Sequence, residues 1–184
     1  TEQLTANLNG FSTEEVLALG DGNCFFRSLV FALRHPISGS FANRGQGAVA
    51  LPTTQMQCRA QIVAELEKNL VFWEEYLTEI DLCGGITKGA EWLYHMSKNK
   101  TWANDVVVQA AAQLYKVKIV VMTLNGPSME MIPGQGIPFL ASVLIVNRSG
   151  VHYNATKPKG HKCSSSCLYD PAKLDAGDNA AEQN

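Results

Sequence analysis

Cys24 is the residue of this sequence best placed to act as a nucleophile. It follows the turn-forming stretch Asp21-Gly22-Asn23 and opens an apolar run that predicts a helix. A helix N-terminus offers free backbone N–H groups and a partial positive charge, which favour thiolate over thiol. The same N–H groups could bind the oxyanion of an acyl-transfer intermediate. The alternative is an inert core thiol, which is the commoner role of a cysteine in an apolar helix.

A histidine and an asparagine that can support a thiol lie more than a hundred residues downstream. His152, Tyr153 and Asn154 fall on a predicted strand, and its period of two places His152 and Asn154 on one face. A carboxamide can accept the imidazole Nδ1–H and leave Nε2 facing a thiol, as in Cys-His-Asn catalysis. This chain order is also that of papain-like proteases. A lone histidine on a strand is more often structural, so the residue types alone leave both roles open.

Composition excludes several other classes of protein. The chain has 184 residues, of which 46% are hydrophobic and 17% charged, and its net charge is −2. Near-neutral charge gives no bulk attraction to nucleic acid or to a membrane surface, so neither is expected as a partner. No apolar run approaches the ~18 residues of a membrane span. Five cysteines are few and odd in number, which favours a reducing compartment over a disulfide scaffold.

Helices are predicted for most of the first two thirds of the chain. Ser12-Thr13-Glu14-Glu15 has the form of a capping box, which predicts a short helix through Leu17. Apolar residues at helical spacing predict longer helices over residues 24–33, 55–78, 88–97 and 104–115. The stretch 37–53, rich in small and polar residues, is typical of a surface loop.

Strands are predicted toward the C-terminal end. β-branched residues predict strands over 117–122 and 142–146, then a hairpin turn and a returning strand over 151–155. Helices followed by a terminal hairpin predict an α+β fold with an antiparallel element. We expect one domain over residues 1–155 and a polar, partly ordered C-terminal extension over 156–184.

Three ordered motifs resemble a known protease family. The stretch from Asp21 to Leu29 closely resembles the Asp-Gly-Asn-Cys signature of the ovarian tumour (OTU) cysteine proteases, and His152-Tyr153-Asn154 resembles their histidine motif. Residues 102–111 are similar to the intervening Trp-Gly-Gly segment, although Ala103 and Asn104 replace the two glycines. The resemblance spans residues 11–155. It implies a papain-like OTU fold, with a small mixed or antiparallel sheet packed between helices.

The resemblance also implies a reaction, the hydrolysis of the isopeptide bond between ubiquitin and a lysine. Cys24 would attack the carbonyl, His152 would move the thiol proton, and Asn154 would orient His152. Asp21 either takes part in catalysis or fixes the turn, and the backbone N–H groups of Cys24 and Asp21 are candidates for the oxyanion hole. No metal or cofactor is needed. The residues implied to contact substrate are Asn23, Trp102 and Tyr153, with core packing as the alternative for Trp102.

Other functions remain open at this point. The expected partner is ubiquitin or polyubiquitin, bound by a cytosolic monomer, in the host cytosol if a pathogen encodes it. The same motifs would suit a protease for a ubiquitin-like modifier or a viral polyprotein. A non-catalytic ubiquitin-binding module is a further alternative, which the presence of all three motif residues disfavours. His161, Cys163 and Cys167 offer only three soft ligands, so a tail without metal is favoured over a zinc site.

Overall fold

The computed structural model describes residues 2–82, 84–124 and 128–161, which form helices on both faces of one mixed sheet. The helices are α1 (Glu2–Gly10), α2 (Cys24–Ala32), α3 (Gln55–Lys68), α4 (Leu70–Glu74), α5 (Ala90–Ser97) and α6 (Asp105–Tyr115). The strands are β1 (Thr13–Val16), β2 (Ser38–Gly39), β3 (Val117–Thr123), β4 (Met129–Met131), β5 (Ala141–Arg148) and β6 (His152–Pro158). This architecture confirms the α+β prediction.

The sheet has the strand order β1-β6-β5-β3-β4, with β2 added beside β5. β3 and β5 pair in parallel, while the other described pairings are antiparallel. Side chains alternate along each strand, so Ile119 and Val121 face the larger helical layer, whereas Val120 and Met122 face α1. Because both faces are covered, the sheet forms a rigid support for the residues at its edge.

Two predicted helices take other forms in the structure. The prediction of a helix from Ser12 through Leu17 is wrong, because residues 13–16 form β1 and pair with β6 from Thr13–Pro158 to Val16–Ala155. A helix this short is marginal by itself, whereas the edge of β6 provides hydrogen-bond partners for the backbone. The helix predicted over 55–78 ends at Lys68, because Asn69 leaves helical geometry (φ −142°) and α4 starts after it.

The end of the last strand lies beyond the predicted domain boundary at residue 155. β6 continues to Pro158 because β1 pairs with its C-terminal half, as far as that residue. Cys163 and Cys167 lie outside the described residues, with the rest of 162–184. Within the described ranges no helix is long and apolar enough to cross a membrane, and no three potential metal ligands cluster together.

Candidate active site

Cys24 is the first residue of α2 and touches the start of β6. Its Sγ lies 3.4 Å from the backbone N of Tyr153 and 3.7 Å from the carbonyl O of Val151, the two neighbours of His152 in the chain. Burial raises the pKa of the Cys24 thiol, and the nearby backbone N–H groups only partly offset this effect. Burial therefore outweighs the thiolate stabilisation expected at a helix N-terminus. The thiol is protonated at neutral pH and needs a base before it can attack.

An ion pair fixes the loop before the cysteine (residues 20–23, the Cys loop). The fully buried Arg27 guanidinium pairs with the Asp21 carboxylate, whose Oδ1 also accepts the Asn23 N–H at 3.1 Å. Burial acts to raise the pKa of Asp21, but the hydrogen bonds from Arg27 and Asn23 outweigh it and hold that pKa below its ordinary value. This arrangement suits the turn-fixing role of Asp21. Its buried Oδ2 has no hydrogen-bond partner among the described residues and can accept a further donor.

A second buried arginine, Arg59 of α3, ties the Cys loop to the segment that precedes Trp102. Arg59 is 1% exposed, and its guanidinium lies over the Phe26 ring, 3.9 Å from the ring centroid. It donates hydrogen bonds to the carbonyl oxygens of Gly22, Met96 and Thr101 and to Oδ1 of Asn23, at distances of 2.7–3.3 Å. The Asn23 side chain, expected to contact substrate, is fully buried in this network and supports the loop.

Gly22 is required by the close approach of a neighbouring backbone. Its φ is +85°, and a Cβ at this position would lie 1.8 Å from the carbonyl O of Lys100. A side chain would therefore push the Cys loop away from the Trp102 segment. Asn23 reinforces the same contact, because its Oδ1 accepts the Lys100 N–H at 3.1 Å.

His152 is half-buried at the start of β6, and its ring packs against Gly20. A Cβ on Gly20 would lie 3.3 Å from Nδ1 and 3.4 Å from Cε1 of the imidazole. Within the described part of the chain, no hydrogen bond joins this ring to Asn154 or Asp21. The ring is thus positioned by packing against Gly20, the first residue of the Cys loop.

Asn154 is fully buried and makes hydrogen bonds at both ends of its amide. Oδ1 accepts the Ala18 N–H at 3.0 Å, and Nδ2 donates to Oε1 of Glu15 at 2.6 Å. Ala18 lies two residues before Gly20, so the segment 18–20 contacts both the Asn154 amide and the His152 ring. A carbonyl oxygen has two lone pairs, which leaves one on Oδ1 for another donor.

The remaining predicted contacts, Trp102 and Tyr153, line a cleft of about 690 Å³. Cys24 does not line this cleft, and the cleft is connected to the thiol through the backbone of Val151 and Tyr153. Trp102 is 42% exposed, which argues against the alternative of core packing. Tyr153 is 3% exposed and packs edge-to-face on Phe25 at 5.3 Å, so its ring forms the cleft wall. Val151 also lines the cleft, and its carbonyl oxygen contacts the Cys24 thiol.

Two residues that the sequence patterns did not indicate stabilise the site. Arg59 binds the Cys loop, and Glu15 binds the Asn154 amide. Arg59 lies in a predicted amphipathic helix, where a single arginine among polar neighbours does not stand out. Glu15 lies in the segment for which the capping box predicts a helix. Its relation to Asn154 depends on the pairing of β1 with β6, so no local motif could identify it.

Comparison with known proteins agrees with this geometry. A family model described as OTU-like cysteine protease matches residues 19–139. The chain is 31% identical over 160 residues to the ovarian tumor domain-containing deubiquitinating enzyme 10 of Arabidopsis thaliana, covering 84% of the chain and 37% of that protein. It is 29% identical over 136 residues to the putative ubiquitin thioesterase 232R of Invertebrate iridescent virus 3, covering 73% of the chain and 14% of that protein.

Solved structures share the fold. The OTU domain of OTUD1 is 18% identical with a TM-score of 0.60, covering 84% of this chain and 92% of that one. The Hazara virus OTU bound to ubiquitin is 14% identical with a TM-score of 0.54, covering 81% of this chain and 83% of that one. The architecture is thus the papain-like OTU fold that the motifs implied. The chain belongs to the OTU family of cysteine proteases.

Proposed function

We propose that this chain is a thiol-dependent ubiquitin hydrolase, which cleaves the isopeptide bond after the C-terminal glycine of ubiquitin. The observation that carries the proposal is the contact between Cys24 at the head of α2 and the backbone on both sides of His152. Two relatives are named a deubiquitinating enzyme and a putative ubiquitin thioesterase, and one structure of the same fold is bound to ubiquitin. These relatives support ubiquitin as the substrate.

The reaction begins with transfer of the thiol proton from Cys24 to His152. The thiolate attacks the scissile carbonyl carbon, and the imidazolium then protonates the leaving lysine amine. Water, deprotonated by His152, then attacks the resulting thioester. The C–S bond breaks, the ubiquitin carboxylate is released, and the imidazolium returns its proton to the Cys24 thiolate. Because burial raises the pKa of the Cys24 thiol, a preformed thiolate is scarce. The thiol proton must therefore move to His152 in every turnover before the sulfur attacks.

The oxyanion of each tetrahedral intermediate needs donors near the thiol. The Asn23 N–H is already donated to Asp21. The backbone N–H groups of Cys24 and Asp21 are therefore our candidates for the oxyanion hole. The buried contacts of Arg27 and Arg59 would hold these donors in place before substrate arrives.

Asn154 is our candidate for the residue that orients His152. Its fixed amide keeps Oδ1 on the Ala18 N–H, two residues before Gly20, which faces the Nδ1 side of the imidazole. We expect the ring to rotate on substrate binding so that Nδ1–H donates to the second lone pair of Oδ1. Catalytic hydrogen bonds are often long in unbound enzymes and tighten in the complex. Asp21 is the competing acceptor through its unpartnered Oδ2.

The cleft beside Trp102 is the proposed path of the C-terminal tail of ubiquitin. It is lined by Trp102 and by Val151 and Tyr153, the two residues whose backbone contacts the Cys24 thiol. A tail that lies in this cleft would therefore end close to the thiol. We expect the protein to act as a monomer in a reducing, cytosolic environment, where thiols remain reduced.

Turnover of a ubiquitin–fluorophore substrate tests the proposal. Cys24→Ala should lower kcat/KM by at least about 10³-fold while ubiquitin affinity stays near that of the parent, because the nucleophile acts in the transition state. Cys58→Ala is the matched control, since burial raises the pKa of that thiol to about 12 and leaves it protonated. A folded parent that binds ubiquitin without turnover would be a binding module. Turnover of only a ubiquitin-like substrate would show that this modifier, and not ubiquitin, is the substrate.

A further inference from the structure

We propose that Glu15 is a positioning residue that fixes the amide of Asn154 and makes this site depend on Asn, rather than Asp, at position 154. The inference rests on the proposed function, because it concerns the group that orients His152. The Glu15 carboxylate makes three short contacts. Oε1 of Glu15 accepts from Asn154 Nδ2 at 2.6 Å and from Arg148 Nε at 2.7 Å, and Oε2 accepts from Arg148 Nη2 at 2.6 Å.

The carboxylate distinguishes the two ends of the amide. A carboxylate only accepts hydrogen bonds, and a backbone N–H only donates. With Glu15 on one side and the Ala18 N–H on the other, the NH₂ end of Asn154 must face Glu15 and the oxygen must face Ala18. A flipped amide would place oxygen against a carboxylate and NH₂ against a donor. Glu15 therefore keeps the oxygen on Ala18, in the same segment as Gly20, on which the His152 ring packs.

The same contact makes an aspartate costly at position 154. An Asp side chain has nearly the size of Asn, so its second oxygen would take the position of Nδ2, 2.6 Å from the Glu15 carboxylate. Two carboxylates that share a site cannot both ionise easily, and the pKa of one is raised. Arg148 is already engaged by both oxygens of Glu15 and cannot compensate fully for a second negative charge. In this chain Glu15 therefore favours Asn over Asp at position 154.

The charged groups around the contact are few in the described part of the chain. Burial acts to raise the pKa of Glu15, but hydrogen bonds from Arg148 and Asn154 outweigh it and keep the carboxyl ionised near neutral pH. By strand register, His152 of β6 and Arg148 of β5 lie on the same face as Glu15. The pair formed by Glu14 and Lys157 lies on the opposite face, which makes Glu14 a matched control on the same strand.

A double-mutant cycle tests the inference. We expect Asn154→Asp to lower kcat/KM about 10-fold or more, Glu15→Gln to cost about 3-fold, and the double variant to recover to within about 3-fold of the parent. The recovery is expected because the carboxamide introduced by Glu15→Gln can donate to the new carboxylate. Glu14→Gln should leave kcat/KM within about 2-fold of the parent, since an exposed ion pair contributes little. Losses that simply multiply in the double variant would overturn the inference.

The pH dependence gives a second readout, which a purely structural role would not produce. In Asn154→Asp the shared proton is bound below the raised pKa of the pair, so the ratio of variant to parent activity should rise as pH falls. The ratio for the double variant should stay flat, because the carboxylate introduced at position 154 then has no second carboxylate beside it and stays ionised across this range. If the double variant fails to fold, a flat ratio for Asn154→Asp between about pH 6 and 8 is sufficient to overturn the inference.

Alkylation of Cys24 by iodoacetamide separates this inference from the proposed function. Its rate, read by mass spectrometry on the Cys24 peptide, reports thiol activation by His152 without any ubiquitin. If the parent fails to hydrolyse ubiquitin while the four alkylation rates show recovery in the double variant, the proposed function is wrong and the Glu15 role stands. If ubiquitin is hydrolysed but neither measurement shows recovery, the function stands and the Glu15 role is wrong.

Discussion

The cysteine side and the histidine side of the site are held by different kinds of contact. On the cysteine side, the buried guanidinium groups of Arg27 and Arg59 bind the Cys loop. On the histidine side, the imidazole of His152 is positioned by packing against Gly20, and the hydrogen bonds stop at Asn154. In the proposed mechanism, the fold thus fixes Cys24 before substrate binds and leaves His152 to be aligned in the complex. Substitutions should accordingly affect stability on the first side and mainly catalysis on the second.

The largest effect is expected at His152, the proposed base. His152→Ala should lower kcat/KM by about 10³-fold, because general acid–base catalysis contributes on the order of 10²–10⁴. The melting temperature should stay near that of the parent, since the ring is half-buried and does not hydrogen-bond to Asn154 or Asp21. The double variant with Cys24→Ala should be no slower than Cys24→Ala alone, because the two residues act as one unit. His161 is exposed and lies beyond the C-terminal end of β6, so His161→Ala is the control.

On the cysteine side, Arg59→Met keeps the length of the side chain and removes its hydrogen bonds. Several buried oxygens would lose their donor, at a cost of about 1–3 kcal/mol for each unsatisfied group. We expect a loss of several kcal/mol in the free energy of unfolding, together with roughly a 10²-fold drop in kcat/KM as the Cys loop loosens. Urea titration and turnover measure the two effects. A variant with parent stability and low activity would contradict the proposed difference between the two sides.

Asp21 allows the same distinction to be tested by pH. Its carboxyl has a lowered pKa in the folded protein, so the stability it contributes is fully present above its unfolded pKa of ~3.9 and is lost as pH falls through the lower folded value. Asp21→Asn should reduce stability at neutral pH and flatten this acid dependence, while kcat/KM falls less than about 10-fold. Thermal melts across the acid range check the first part. If kcat/KM collapses in a variant that stays folded, Asp21 orients His152 in place of Asn154.

The smallest effect is expected from Gly20→Ala on the histidine side. The added methyl would lie 3.3 Å from Nδ1 of His152, closer than ordinary van der Waals contact, and the ring would move by a few tenths of an ångström. We expect kcat/KM to fall about 3-fold to 10-fold, because small misplacements of catalytic groups are costly. The melting temperature should not fall. Unchanged turnover would show that the ring does not rest on Gly20 during catalysis.

The motif residues could be predicted from the sequence because their chemistry is local. Cys24 follows a recognisable turn and opens an apolar helix, and the structure confirms that helix as α2. The helix predicted from residue 104 is confirmed as α6, and the Asn104 side chain caps it by accepting the Val107 N–H at 3.1 Å. In contrast, residues 13–16 have a local helix signal that pairing with β6 overrides. Glu15 acquires its relation to Asn154 only through that pairing, so sequence spacing could not indicate it.

Covalent capture by ubiquitin that carries a C-terminal electrophile tests the central claim most directly. We predict that the folded parent gains the mass of one ubiquitin, on the peptide that contains Cys24. Capture should be absent in Cys24→Ala, strongly slowed in His152→Ala and unchanged in Cys58→Ala. Attachment at another cysteine, or no attachment to folded protein that binds ubiquitin, would contradict Cys24 as the nucleophile of a ubiquitin hydrolase.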